Sequence, residues 1–183
     1  TTMDTADDQI LKTIKHDVNA GAKMLLNKYQ APIYWHIRRL VVTHDDANDA
    51  VQETFIRAFR SISQFEQNGT LKAWLYRIAT NEALRLLSKR SPAVISLDTE
   101  DLSAVQAEPE ADPYINFDDT EAIVLQRAIR SLPAKQQITF TLRYYDDMSY
   151  KEIGQATNSS EATAKVNYHL AKNKIAQYLA QNI

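Results

Sequence analysis

The sequence of 183 residues contains no cysteine, only 3 glycines and 5 prolines, and no long hydrophobic run. Without cysteine, neither a disulfide framework nor a thiolate metal site can form. The scarcity of glycine and proline disfavours a fold built from hairpins. No apolar run approaches the roughly 20 residues that span a bilayer, and the N-terminus has acids where a signal peptide has a basic start. We therefore expect an all-helical protein in the cytoplasm, with no membrane insertion.

Net charge is also small, but the charges are separated along the chain. The formal net charge is −2, from 21 basic and 23 acidic side chains. Residues 91–126 hold nine acids and no lysine or arginine, whereas residues 23–90 carry a net charge of +5 and residues 127–183 one of +4. Positive surfaces are typical of nucleic-acid binding. The overall charge therefore hides two basic lobes that flank an acidic segment.

The acidic segment divides the chain into two small helical domains, at residues 1–90 and 118–183, and a linker at residues 91–117. The linker holds three of the five prolines and shows no lasting helical period. It is either a solvated tether extended by its own charge, or a negative segment that follows a positive channel on a partner. Composition does not separate these two possibilities.

The segment after residue 44 has the pattern of a strongly amphipathic helix, for which Asp45 and Asp46 are the expected N-cap. The buried face is predicted to hold Ala47, Val51, Thr54, Phe55, Ala58, Phe59 and Ile62. The opposite face is polar except for one aliphatic residue, and it consists of Asp49, Gln52, Glu53, Ile56 and Arg60. A single exposed isoleucine is common in proteins, so the residues alone do not distinguish a docking face from an ordinary surface.

A second helix is predicted from Leu71 to Arg90, and the segment before both helices, residues 7–43, is expected to be helical with a kink or short break at Pro32. One ridge of the second helix carries guanidinium and amide groups, at Arg77, Asn81, Arg85 and Ser88. Such a ridge suits phosphate oxygens and base edges. Glu82 lies nearby, so a simple solvated face is the alternative.

The second domain is predicted to contain four helices, at about 119–131, 134–146, 149–156 and 160–180. Ser149 and Glu152 have the spacing of a capping box. Gly154 lets a second helix approach closely, and Asn158 can take the left-handed conformation of a tight turn. These features predict a helix-turn-helix whose last helix enters a major groove. On that helix His169 is more easily a phosphate donor than a base reader.

Two stretches together resemble a known family. "DDANDAVQETFIRAFRSISQF" followed by "LKAWLYRIATNEALRLLSKR" resembles region two of the sigma-70 family, in the small variant called extracytoplasmic-function (ECF) sigma factors. "LPAKQQITFTLRYYDDMSYKEIGQATNSSEATAKVNYHLAKNKI" resembles their region four. The resemblance implies an alternative sigma factor that binds bacterial core RNA polymerase and directs it to specific promoters. It implies no catalysis, cofactor or metal site of the chain's own.

The resemblance also assigns residues to three interfaces. Those expected to bind the polymerase clamp are Asp49, Gln52, Glu53, Phe55, Ile56 and Arg60. Those expected to bind the −10 element, together with the loop before Leu71, are Lys72, Tyr76, Arg77, Asn81 and Arg85. Those expected to bind the −35 element are Ser160, Thr163, Lys165, Val166, Asn167, His169 and Lys172. Asn167 and Leu170 stand where the family most often has arginine, which leaves the −35 sequence open.

The family further implies contact with the polymerase flap, an acidic linker that extends through polymerase channels, and an anti-sigma factor. Because the chain ends about where region four ends, no appended sensory domain is expected. A rival interpretation is a free-standing helix-turn-helix regulator that acts as a homodimer, although it leaves the first domain without a role. An enzyme is disfavoured, because none of the usual catalytic motifs accompanies the four histidines.

Overall fold

The computed structural model describes residues 5–41, 43–66, 68–90 and 120–182, and within them every regular element is a helix. The first lobe contains α1 (Thr5–His16), α2 (Val18–Leu40), α3 (His44–Ser61), a short 3-10 helix (Ile62–Gln64) and α4 (Leu71–Arg90). The second lobe contains α5 (Thr120–Arg130), α6 (Ala134–Tyr144), α7 (Tyr150–Thr157) and α8 (Glu161–Asn182). The prediction of an all-helical fold is confirmed. The predicted linker at residues 91–117 lies outside the described residues, and none of the described helices could span a membrane.

The first break in the helical chain lies at Asp17. Its side chain caps α2 by accepting a hydrogen bond from the Ala20 N–H at 3.1 Å. Of the kink or short break expected at Pro32, the break is wrong, because α2 continues through this residue. Pro32 is exposed, so water can satisfy the carbonyl that loses its helical partner. α1 is anchored on α2 by the buried Asp7, which accepts a hydrogen bond from the Tyr29 hydroxyl at 2.8 Å.

α3 begins two to three residues earlier than the acidic pair suggested. Its N-cap is Thr43, whose side chain accepts a hydrogen bond from the Asp46 N–H at 3.2 Å, so the expected cap at Asp45 and Asp46 is wrong. The two acids lie in the first turn, where they complement the helix dipole. The predicted buried face is confirmed, with Phe59 only partly buried. α3 packs against α4 within the main buried cluster.

The second lobe follows the predicted helix-turn-helix closely. Ser149 and Glu152 form both hydrogen bonds of the capping box at the start of α7. Asn158 ends that helix in the left-handed region, with φ 54°. Ser160 then caps α8 by accepting a hydrogen bond from the Thr163 N–H at 3.0 Å. The four predicted helices of this lobe are therefore confirmed.

Buried side chains connect the two lobes. A small cluster around Ile129, Phe140 and Ile175 belongs to the second lobe alone. The larger cluster includes the first lobe's core and continues into α6 and α7 through residues such as Ile138 and Ile153. α4 and α7 pack directly against each other. The helix predicted to bind the −10 element is therefore in contact with the first helix of the helix-turn-helix.

Candidate protein and nucleic-acid interfaces

The outer face of α3 presents the predicted polar surface to solvent. Asp49, Gln52 and Arg60 are exposed, and Ile56 lies among them with 42% of its surface accessible. Phe55 is different, because it is 4% exposed and packs on Phe59 with ring centroids 5.9 Å apart. Its contribution to this face is therefore to hold α3 in place, since the side chain cannot reach a partner.

A buried carboxylate joins α3 to α4. Glu82, whose side chain is almost fully buried, forms an ion pair with Arg57 Nε at 2.6 Å and accepts a hydrogen bond from Arg85 Nη2 at 2.7 Å. Arg57 also pairs with Glu53 at 2.9 Å. Glu82 holds Arg85 in place on the surface of α4. Its presence beside the ridge of Arg77, Asn81 and Arg85 is therefore explained by a structural role.

The ridge of α4 is only partly open to solvent. Arg77, Asn81 and Arg85 are exposed, as the spacing predicts. Tyr76 is 1% exposed, and its hydroxyl donates to Asp146 Oδ1 of the second lobe at 2.6 Å. Two of the five residues assigned to the −10 element are therefore held by the other lobe, since Lys72 also donates from Nζ to the Asp146 carbonyl oxygen.

The loop before α4, which the resemblance assigns to the −10 element, also lies against α7. Thr70 Oγ1 donates to Glu152 Oε2 at 3.0 Å, and Gln155 Nε2 donates to the carbonyl oxygen of Asn68 at 3.2 Å. At Gly69, a Cβ atom would come within 2.5 Å of Gln155 Oε1. The loop and α7 are therefore in close contact.

Asp146 lies at the centre of the contact between the lobes. Its carboxylate is 6% exposed, and Oδ2 is 3.7 Å from Arg39 Nη1 at the end of α2. The Arg39 guanidinium also lies over the Tyr145 ring, 4.0 Å from its centroid. Burial raises the pKa of Asp146 above its ordinary value, although the Tyr76 hydrogen bond and the nearby cations act in the opposite direction. Burial also raises the pKa of Tyr76, and the Asp146 charge adds to that shift.

The recognition face of α8 is open. Ala164, Ala171 and Ile175 are buried along one side of the helix. The residues assigned to the −35 element lie on the exposed or partly exposed surface, and they are Ser160, Thr163, Lys165, Val166, Asn167, His169 and Lys172. The structure brings them together between the N-cap and the twelfth residue of α8.

Sequence patterns did not single out Arg39 and Asp146. Arg39 is one of two consecutive arginines at the end of α2, and Asp146 is one of two consecutive acids before the capping box. The only local signal was the position of both charges at helix ends. The two residues are close because the lobes pack together, and residue spacing within a helix does not predict that packing.

Comparison with known proteins identifies the two lobes separately. A family model described as Sigma-70 region 2 matches residues 25–92, and one described as Sigma-70, region 4 matches residues 122–175. The chain is 31% identical to the ECF RNA polymerase sigma factor SigW of Bacillus subtilis over 180 residues, which are 93% of this chain and 95% of that protein. The chain belongs to the ECF sigma factors of the sigma-70 family. It is an alternative sigma factor that binds core RNA polymerase and directs transcription initiation at specific promoters.

Other relatives of this sigma factor agree. It is 32% identical over 158 residues to the ECF RNA polymerase sigma factor SigE of Mycolicibacterium smegmatis, which is 86% of this chain but 61% of that longer protein. The sigma factor RpoE of Bartonella quintana, solved with the anti-sigma factor NepR, superposes with a TM-score of 0.70 at 25% identity, over 86% of this chain and 96% of that one. CnrH, solved with the cytosolic domain of CnrY, has a TM-score of 0.73 over 97% and 99% of the two chains; at 17% identity it shows the shared fold alone.

Proposed function

We propose that this sigma factor docks on the polymerase clamp through the outer face of α3. The observation that carries the proposal is the position of Ile56, an exposed aliphatic side chain inside an otherwise polar face. Interfaces combine apolar contacts with a polar rim, and the charges of Asp49 and Glu53 supply that rim. The opposite face of α3 is fully committed to the core, so this is the side from which a partner can bind.

The promoter contacts are proposed to come from two other helices, α4 and α8. The exposed ridge of Arg77, Asn81 and Arg85 offers donors for the backbone and bases of a melted −10 strand. On α8, Lys165 can donate to acceptor edges in the major groove, and Val166 can contact a thymine methyl group. Together the two lobes bind promoter DNA while the polymerase supplies the attachment.

The proposal assigns no chemistry to this chain. The polymerase supplies catalytic metal and nucleotide chemistry, and the protein acts with it in the cytoplasm. The second lobe is proposed to contact the flap, and the acidic linker to follow a positive channel of the polymerase. Because the sigma factor RpoE of Bartonella quintana was solved with the anti-sigma factor NepR, we also propose an anti-sigma partner. If no anti-sigma factor co-purifies with the protein from unstressed cells, the proposal of an anti-sigma partner is contradicted.

The docking face is tested by paired substitutions of exposed aliphatic residues. We expect Ile56→Ser to weaken binding to core polymerase about tenfold, the effect of losing a central interface contact. The control is Val18→Ser, which removes a similar exposed side chain at the start of α2 (55% accessible) and should leave binding unchanged. Equal affinities of the two variants would contradict the assignment of α3.

The role of α8 is tested with holoenzymes that contain a variant of this helix. Lys165→Ala should lower transcription from a promoter selected with the wild-type holoenzyme about tenfold, because it removes a major-groove donor. Its affinity for core polymerase should not change. Lys15→Ala removes an equal charge from the exposed surface of α1 and serves as the control. Loss of both transcription and core binding in Lys165→Ala would point to a folding defect and contradict the assignment.

A further inference from the structure

The contact around Asp146 has the composition of an anion site. Three donors of the first lobe surround this group: the Tyr76 hydroxyl at 2.6 Å from Oδ1, the Lys72 ammonium on the carbonyl oxygen, and the Arg39 guanidinium at 3.7 Å from Oδ2. Arginine, lysine and tyrosine are all among the side chains that bind DNA phosphates. The donors therefore surround an anion that the protein itself supplies.

The bound carboxylate satisfies these donors incompletely. Asp146 Oδ2 and Arg39 Nη1 make no hydrogen bond within the described part of the chain, although both atoms are buried. Burial also raises the pKa of Asp146 in spite of the surrounding donors, so desolvation opposes its negative charge. A backbone phosphate carries its two charged oxygens on a tetrahedral phosphorus and is not fixed to the segment after α6, so it can take up a position within hydrogen-bonding distance of the Arg39 guanidinium, which the aspartate does not reach.

The location of the site fits a nucleic-acid strand. Tyr76 directly precedes Arg77 on α4 and Lys72 lies one turn before Tyr76, so the site lies beside the exposed ridge, on the neighbouring face of the helix that packs against the second lobe. The loop through Gly69, which precedes the site, is in contact with Gln155 of α7. A strand that follows the ridge would reach the anion site only after the second lobe has moved away.

We propose that Arg39, Lys72 and Tyr76 form a binding site for a backbone phosphate of single-stranded promoter DNA, and that Asp146 occupies this site as an internal competitor while the lobes are packed together. The inference rests on the proposed function, because it assumes that α4 meets the −10 strand. It adds Arg39 to the proposed DNA-binding residues. Asp146 contacts neither DNA nor polymerase in this proposal, and its role is to block the phosphate site. The exposed surfaces of α3 and α8 are unaffected, so the polymerase can bind before the strand displaces Asp146.

The test compares two neighbouring acids. Asp146→Asn and Asp147→Asn change the net charge equally, but Asp147 is exposed, and asparagine tolerates its positive φ of 52°. We expect the full-length Asp146→Asn protein to bind a fluorescent single-stranded DNA oligonucleotide of mixed sequence about tenfold more tightly than Asp147→Asn does, the factor expected for one charged hydrogen-bonded contact. Fluorescence anisotropy measures both affinities.

Two further variants make the result decisive. Asp146→Ala removes both carboxylate oxygens and should give at least the same gain, which covers the case in which asparagine keeps the Tyr76 hydrogen bond. Adding Lys72→Gln to Asp146→Asn should abolish the gain, whereas adding Lys15→Gln on α1 should not. If neither substitution of Asp146 tightens binding relative to Asp147→Asn, or if the gain survives Lys72→Gln, the phosphate site is ruled out.

The absence of native cysteine allows the movement itself to be measured. Fluorophores on Ser63→Cys and Asn173→Cys, both exposed and on different lobes, should report a larger separation when the oligonucleotide is added. An unchanged transfer efficiency at saturating DNA would overturn the competition by Asp146. Promoter-directed transcription by the wild-type holoenzyme tests the proposed function separately, so a failure of either claim is recognised on its own.

Discussion

His36 is held as a neutral imidazole in the core of the first lobe. Its Nε2 lies 2.8 Å from Thr80 Oγ1, and that hydroxyl donates its own proton to the carbonyl oxygen of Tyr76 at 2.8 Å. Nε2 must therefore carry the hydrogen and donate to Thr80. Burial, with a smaller effect of the Arg39 charge, lowers the pKa of His36 from 6.5 to about 3. Folding thus requires this ring to stay uncharged.

We expect the stability of the protein to fall as the pH falls below 6.5. Between that value and about 3, the unfolded chain binds a proton at His36 that the folded chain does not, so acid favours unfolding. From about pH 7.5 to about pH 5.5 this group should lower the free energy of unfolding by about 1.4 kcal/mol. His36→Gln keeps a donor for Thr80 but does not titrate, so it should lose this part of the pH dependence in urea unfolding.

The matched control is His16→Gln, at an exposed position near the end of α1, which should keep the wild-type dependence on pH. If His36→Gln and the wild-type protein lose the same free energy between the two pH values, the neutral buried imidazole is not the cause.

Single residues also show where sequence reasoning ends. Helical period predicted correctly that Ile56 and Lys165 are exposed, because period determines which side of a helix faces the core. It also placed Phe55 on the buried face of α3, where the structure has it, although the family resemblance assigned this residue to an interface. It did not predict that Tyr76 is buried. The partners of Tyr76 come from the second lobe, and only tertiary structure reveals them.

At the level of elements, the turn between α7 and α8 is fixed by backbone contacts. A Cβ on Gly154 would lie 2.7 Å from the carbonyl oxygen of Ser159 and 3.2 Å from the carbonyl carbon of Ser160. The close approach predicted at this glycine therefore involves the turn and the start of α8. Because backbone atoms form the contact, a side chain at this position must displace the turn.

Gly154→Ala should lower the free energy of unfolding by about 1–2 kcal/mol. Overpacking costs about 1–3 kcal/mol, and the better helix propensity of alanine returns up to about 1 kcal/mol. Gly69→Ala is the comparison, since its Cβ would meet only the flexible end of the Gln155 side chain. Denaturant unfolding measures both variants, and a Gly154→Ala protein as stable as Gly69→Ala would contradict the tight turn.

Element boundaries were predictable where a local signal was unique. Ser149 and Glu152 form one capping box, and the structure has it. Before α3 the chain offers Thr43, Asp45 and Asp46, which are similar as N-caps, so sequence could not choose among them. Pro32 is a strong breaker in general, but its exposed position inside α2 removes most of the cost. The N-cap of α3 was therefore mispredicted because several neighbouring residues could serve as the cap. The break at Pro32 was mispredicted because its solvent exposure was not known.

In the whole molecule, two kinds of contact hold the lobes together, one apolar and one polar. The continuous buried cluster supplies apolar surface through residues such as Ile138 and Ile153. The polar contacts of Asp146, Glu152 and Gln155 with the first lobe then select one arrangement of the helices. Such directional contacts specify geometry, whereas apolar burial supplies most of the free energy. Both lobes are basic, so the packing also has to overcome their mutual repulsion.

If packing holds the lobes together, cutting the predicted linker should leave them associated. A specific protease site inserted within residues 91–117 allows the purified protein to be cleaved in its folded form. We expect the fragments to co-elute in gel filtration at micromolar concentration and low salt, because the apolar cluster and the hydrogen bonds around Asp146 do not depend on chain continuity. In the same cleaved protein, Gly69→Phe should separate the fragments, since its side chain must occupy the space of Gln155 at the interface. Elution of wild-type fragments as two separate species would mean that the linker, and not the contact between α4 and α7, keeps the lobes together.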